Sequence, residues 1–194
     1  QDEDEPPAEA PAPASALLSV PLSSLLDSSA GQLAQEAGAD GVVADLKTDG
    51  GALGWQSQEE LAFALQSEAE TAGSDALATW TSSGIYTVAR LSCFRDEALG
   101  SNMDYTLRTS SSLRWRDLEG FHWTTPANPE VRSYLIGLMT ELAQMGFDEI
   151  VLDHWGFPSQ TEGALGNLLE SEDNYPAGAL DGVITEFLSQ AAQA

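Results

Sequence analysis

The most constraining stretch of the chain is Gly146-Phe147-Asp148-Glu149-Ile150-Val151-Leu152-Asp153-His154-Trp155-Gly156-Phe157-Pro158. A short apolar run, Ile150 to Leu152, ends abruptly on a carboxylate, an imidazole and an indole, and Gly156 and Pro158 keep the strand from continuing. A strand covered on both faces reads as a continuous apolar run rather than an alternating one. Ionisable residues crowded at its C-terminal end are what α/β sheets and barrels place at the mouth where ligands bind.

The rest of the chain alternates strand and helix around this element. Leu17 to Leu22 reads as a short first strand, irregular or at a sheet edge because of Pro21. A helix through Leu33, Ala34 and Ala37 closes on Gly38, a left-handed C-terminal cap. Gly41 to Lys47 is the second strand, and Asp49-Gly50-Gly51 turns the chain. Ser57-Gln58-Glu59-Glu60 has the form of a capping box for a helix over Leu61 and Leu65, ending near Gly73. Asp75 can cap a short helix through Leu77 and Trp80 that stops at Gly84. Ile85 to Phe94, rich in β-branched and aromatic residues, is the third strand.

Arg95 to Asn128 is a long polar and aromatic connection, of the length usually kept for function. Asn128 and Pro129 then open a helix with an apolar stripe of Val131, Leu135, Leu138, Met139, Leu142 and Met145. The strand at Ile150 follows, and a last helix runs through Leu180, Val183, Ile184, Phe187 and Leu188. Four β/α units in alternation imply parallel strands joined by right-handed crossovers. An eight-stranded barrel takes about 250 residues. The expected architecture is therefore α/β of the (β/α) TIM-barrel type, with only the first half present, over residues 16–194. Such a half barrel leaves two raw strand edges, so self-association is expected.

Residues 1–15 carry acids and prolines without a base, and are expected to form an extended, disordered tether. The chain opens on Gln1, as a processed product or a fragment would. An acidic Pro/Ala tether at a mature N-terminus is typical of exported bacterial proteins, which gives an extracellular or cell-envelope expectation, although a plain intracellular linker has the same composition. Seven basic against 31 acidic residues give a net charge of −24, which repels nucleic acid and anionic lipid. No run of about 18 apolar residues exists, so no membrane span is expected. The single cysteine, Cys93, excludes an internal disulfide and reads as a buried small hydrophobe. No phosphate loop, Ser/His/Asp order or His-x-x-x-His pair is present, so neither cofactor nor metal is expected.

Four motifs then occur in a characteristic order. They are Val42 to Gly50; Ile85 to Arg90 with Phe94-Arg95-Asp96; Trp115-Arg116-Asp117 with Gly120 and Trp123; and Gly146 to Ile150 with Asp153 and Phe157-Pro158. Together, over roughly residues 40–190, they resemble a bacterial glycoside-hydrolase family with an α-amylase-like TIM-barrel domain. The chain departs from the family pattern at Thr48 (usually an acid), His154 (usually Tyr), Gly156 (usually Arg) and Thr125 (usually Asn). The resemblance implies a carbohydrate substrate.

Glycoside hydrolysis needs two carboxyl groups in different protonation states. Asp153, at the tip of the fourth strand, is the first candidate for nucleophile or base, and Asp45, ending the second strand, is its candidate partner. Asp153 could instead only hydrogen-bond substrate or cap a loop, and Asp45 could pair structurally with Lys47 or Arg90. Arg90, set in an apolar strand, needs a carboxylate, Asp45 or Asp153. Asp96 is a further candidate, although a helix cap over Glu97 to Leu99 explains it equally well. His154 suits a sugar hydroxyl or Asp153, and Trp115, Trp123 and Trp155 offer aromatic faces for a pyranose, with core packing as the alternative. Asp148 and Glu149 begin the fourth strand at the opposite end and are assigned to stability. Two readings stay open: a glycoside hydrolase, with the general acid unidentified, and a non-catalytic carbohydrate-binding or scaffold protein that keeps the fold.

Overall fold

The computed structural model describes residues 13–27, 29–63 and 74–193. The tether expected at 1–15 lies outside them except for its last three residues, as do the helix around Leu65 and its end near Gly73. Ser15 donates through its backbone N and its Oγ to Asp40, and Ala16 N donates to the same carboxylate.

Four strands form one parallel sheet in sequential order: β1 (Leu17–Ser19), β2 (Gly41–Lys47), β3 (Tyr86–Ser92) and β4 (Glu149–Asp153). Between them lie α1 (Leu22–Leu26), α2 (Ala30–Ala37), α3 (Glu60–Phe63), α4 (Ser74–Thr81), α5 (Glu97–Gly100) and α6 (Pro129–Gln144), and α7 (Leu180–Ala191) closes the chain. All three strand pairs are parallel, and the order follows the chain. This is a mixed α/β fold consistent with a partial (β/α) barrel. Among the described residues no further strand pairs with the outer edges of β1 and β4.

The expected boundaries hold where the local chemistry is strong. Asn128 caps α6, its side-chain oxygen accepting from Glu130 N and Val131 N, with Pro129 in the first turn. Val131, Tyr134, Leu135, Leu138, Met139 and Leu142 are the buried face of that helix. Gly38 takes the left-handed conformation after α2, at φ 70°. The first strand is shorter than its apolar run: it stops at Ser19, and α1 begins right after Pro21.

Alternation along the strands divides the sheet into two faces. Val42, Ala44, Leu46, Ala89 and Leu91 are buried in the main core, with Ile150 and Leu152 packed against it. Residues in register on the other face include Asp45 beside Arg90, Arg90 beside Val151, and Ser92 beside Asp153. In a barrel this second face is the interior, and its C-terminal end is polar.

The register shifts between Asp45 and Lys47, so that two residues of β2 span one step of β3. The shift sets Lys47 beside Leu91 and buries it: Nζ donates to Ser92 O at 2.7 Å and pairs with Asp96 at 2.8 Å. At the opposite end of the sheet, Asp148 accepts from Thr87 N at 2.7 Å and from Thr87 Oγ1 at 3.0 Å, tying the start of β4 to β3.

Candidate functional site

The C-terminal ends of β2, β3 and β4 and the turn after β2 enclose a cavity of about 330 Å3, lined by Asp45, Thr48, Asp49, Arg90, Phe121 and Asp153 among others. Asp45 and Arg90 form an ion pair across the two strands, and this hydrogen bond raises the guanidinium's already high pKa. Asp153 has no Lys or Arg within ion-pair distance among the described residues; its Oδ1 accepts from His154 N at 2.9 Å.

His154 follows β4 with a left-handed backbone, φ 46°. A non-glycine residue held there is uncommon and recurs at functional sites. The conformation is fixed by neighbours: Phe94 N donates to His154 O at 3.1 Å, and Cys93 N to Asp153 O at 2.8 Å. The imidazole stands edge-to-face with Trp123, centroids 5.4 Å apart. Its Nδ1 is 3.3 Å from Ser92 Oγ, 3.4 Å from Asp49 Oδ1 and 3.7 Å from Asp153 Oδ1.

Asp49 reaches this position because its turn is tightly built. Gly51 has φ 87°, and a Cβ there would lie 2.5 Å from Asp96 Oδ1, so only glycine fits. Glu97 N donates to Asp49 O at 2.9 Å. The other Asp49 oxygen, Oδ2, accepts from Arg95 Nη1 at 2.7 Å.

Arg95 is the hub beneath the site. Its Nε donates to Asp117 at 2.7 Å, its Nη2 to Glu119, and its guanidinium carbon lies 4.3 Å from the centre of the Phe121 ring. Burial alone would raise the Asp117 carboxyl; hydrogen bonds from Trp123 Nε1 and Arg95 outweigh it and hold the group below the usual range.

A larger groove of about 760 Å3 adjoins the polar cavity, and Asp153 lines both. The groove is walled by His154, Trp155, Phe157 and Tyr175, with Ile184 and Leu188 of α7 on its far side. Trp155 is 47% exposed there. A carboxylate thus stands between a charged cavity and an aromatic trough.

Of the residues singled out in the sequence, the fold brings together Asp45, Arg90, Asp153, His154 and Trp155, with Trp123 behind the His154 ring. Asp96 and Trp115 lie elsewhere. Asp96 is buried, caps α5 through Leu99 N and neutralises Lys47. Trp115 is buried, donates to Ala164 O at 3.0 Å and stacks edge-to-face on Trp123, which donates to Asp117. Asp49, Ser92, Arg95, Asp117 and Phe121 belong to the site or its support but carried no separate signal. Asp49 read as a turn former and as part of the first motif, and Asp117 only as part of a motif.

A family described as "Putative glycosyl hydrolase domain" matches residues 23–194. The chain belongs to that family. A solved structure described as that of a hypothetical protein from Ruminiclostridium thermocellum ATCC 27405 is similar, with a TM-score of 0.71 and 25% identity, over 91% of this chain and 91% of that one. The curated proteins give no match. Family membership points to glycoside-hydrolase function. Among the described residues, no helix is long and apolar enough to cross a membrane, and no group of three or more His, Cys, Asp and Glu side chains could hold a metal ion.

Proposed function

We propose that the protein hydrolyses a glycosidic bond in an extracellular or cell-envelope glycan, at the C-terminal end of an α-amylase-like β/α sheet. Asp153 is the nucleophile or base. Asp45 and Arg90 hold sugar hydroxyls from the neighbouring strands, His154 flanks the reacting centre, and Trp155 offers its face to a pyranose ring. The observation that carries this reading is the position of Asp153, a carboxylate with no Lys or Arg partner among the described residues, between a polar cavity and a groove with an exposed indole. Aromatic faces pack against the apolar face of a sugar, and polar groups beside them fix its orientation.

The test is turnover of a panel of glycans and aryl glycosides by the wild-type protein and by Asp153→Asn. Loss of turnover with the fold retained, judged by circular dichroism, is the expected result. A second reading is favoured by the Asp45–Arg90 pair, which leaves that carboxylate already partnered: a carbohydrate-binding protein without chemistry. Binding without turnover, unchanged in Asp153→Asn, would establish it. Self-association through the outer edges of β1 and β4 accompanies either reading, and sedimentation of a stable monomer would exclude it.

A further inference from the structure

Hydrolysis requires a proton for the departing oxygen as well as a group acting at the anomeric carbon. Asp45 shares the polar cavity with Asp153, but its carboxylate is already engaged by Arg90. The two are separated by two strand spacings and by two residues along the strand, since Asp45 is level with Arg90, Arg90 with Val151, and Asp153 comes two residues later. That puts their Cα atoms roughly 11–12 Å apart. Asp49 meets Asp153 through its side chain, at the His154 ring. Its Oδ1 and that of Asp153 are 3.4 Å and 3.7 Å from the same nitrogen, His154 Nδ1, so the two oxygens are no more than about 7 Å apart.

We infer that His154 is the proton donor of the site and that Asp49, rather than Asp45, is the carboxylate that positions it. The inference rests on the hydrolase reading above and deepens it. Arg95 holds Asp49 Oδ2, which turns Oδ1 to the imidazole. Nδ1 lies 3.3 Å from Ser92 Oγ and 3.4 Å from Asp49 Oδ1; with the Asp49 carboxylate as the acceptor of Nδ1–H, the fixed tautomer commits Nε2 to the substrate. The Trp123 edge and the left-handed backbone keep the ring from swinging away, and the ring lines the aromatic groove beside Trp155. In the step inferred, the bond between the anomeric carbon and the leaving oxygen breaks and its electron pair goes to that oxygen. The oxygen takes the Nε2 proton of a protonated His154. Nε2 lies within about 6 Å of the Asp153 carboxylate, too close to admit a water between them and suited to direct attack by the carboxylate. An Asp153 oxygen therefore bonds to the anomeric carbon as the leaving oxygen departs. A water, giving its proton to the now neutral His154, then bonds to that carbon and displaces the carboxylate. One water is consumed, and His154 ends protonated and Asp153 ionised, as at the start.

The experiment uses leaving groups of different basicity. A 2,4-dinitrophenyl glycoside departs without protonation, whereas a 4-methylumbelliferyl or alkyl glycoside needs it. His154→Ala is expected to lower kcat/KM on the poor leaving groups by about 10²–10⁴-fold and to leave kcat/KM on the dinitrophenyl substrate within a few-fold. Asp49→Asn should follow the same pattern with KM little changed, and Asp49→Glu should restore part of the loss. Glu119→Gln, which also removes a carboxylate from Arg95 but does not touch His154, should change both substrates alike. The ¹⁵N shifts of the His154 ring give a reading that needs no substrate: Nδ1–H should dominate in the neutral ring of the wild type and yield to Nε2–H in Asp49→Asn. Equal losses on both leaving groups, or an unchanged tautomer, would overturn the inference while leaving the hydrolase reading standing. A wild-type protein inactive on every glycoside would overturn the hydrolase reading and this inference with it.

Discussion

Arg90 and Asp45 stand side by side on β3 and β2, and the guanidinium Nε donates to the Asp45 carboxylate across the strands. Their side chains are 42% and 50% exposed, so the pair is screened by water. An ion pair of this kind contributes about 0–1 kcal/mol. Its place on the open face of the sheet, beside Asp153, is the reason to keep it: it holds two hydrogen-bonding groups in register at the mouth. Arg90→Met is therefore expected to change urea-unfolding stability by less than about 1 kcal/mol while weakening glycan binding measured by calorimetry. A large loss of stability would mean that Arg90 supports the fold instead.

Lys47 and Asp96 are the opposite case. Both side chains are buried, at 0% and 1% exposure, and the contact is 2.8 Å. Removing one partner strands a charge in a dry environment, at about 3–5 kcal/mol. Lys47→Met and Asp96→Asn should each lower urea-unfolding stability by that order, and the double variant should recover a large part of it, because an uncharged pair leaves no orphan charge. Asp96 also caps α5, and an asparagine there keeps that cap, so the two single substitutions should cost about the same. Additive losses in the double variant would show that the two groups act independently.

The residues that could be read from the chain are those whose placement depends on near neighbours. The apolar run before Asp153 and the Asn128-Pro129 cap set β4 and α6 within a residue or two, and the ends of β2 and β3 carried Asp45 and Arg90 to the mouth. Asp49 depends on longer-range relations. It belongs to the site because Gly51 packs on Asp96 and because Arg95 reaches across to its carboxylate, and neither contact leaves a local pattern. The tryptophans make the same point in reverse. Trp115, Trp123 and Trp155 are chemically alike, but isolated antiparallel bridges, Arg116 with His122 and Arg95 with Trp123, fold the long connection over the first two. Trp123 still lines the groove from a buried position, and Trp155, just past the tip of β4, is the one of the three left exposed in it.

Cys93 follows β3 in the core, and burial pushes its thiol up to about 12 despite the nearby Lys47 charge. A thiol whose folded value lies above its unfolded one binds its proton more tightly in the native state. Its contribution to stability is complete below the ordinary cysteine value and is lost as pH rises from there towards about 12. The native protein should resist iodoacetamide at pH 8 and react stoichiometrically once unfolded in urea, as read by mass spectrometry. Rapid labelling of the native protein would mean that the β3 end opens readily.

Trp155 and Trp115 provide the test that separates an aromatic face held for a ligand from one held for the core. Trp115 is almost completely buried: it meets Trp123 edge-to-face, its Nε1 donates to Ala164 O, and its ring packs so closely on Gly163 that a Cβ there would lie 2.5 Å away. Trp115→Ala should cost about 3–5 kcal/mol, the usual loss for an emptied aromatic site. Trp155 has nearly half its surface in water and lines the groove beside Asp153. Trp155→Ala should leave the melting temperature within a few degrees of the wild type, because little buried area is lost, and should weaken oligosaccharide binding by roughly tenfold or more, as expected when an aromatic contact worth about 1–2 kcal/mol is removed. Fluorescence offers a direct reading, since the exposed indole should respond to bound sugar and the buried one should not. A saccharide that binds equally well to Trp155→Ala would remove this indole from the recognition surface and leave the polar cavity around Arg90 to do the binding.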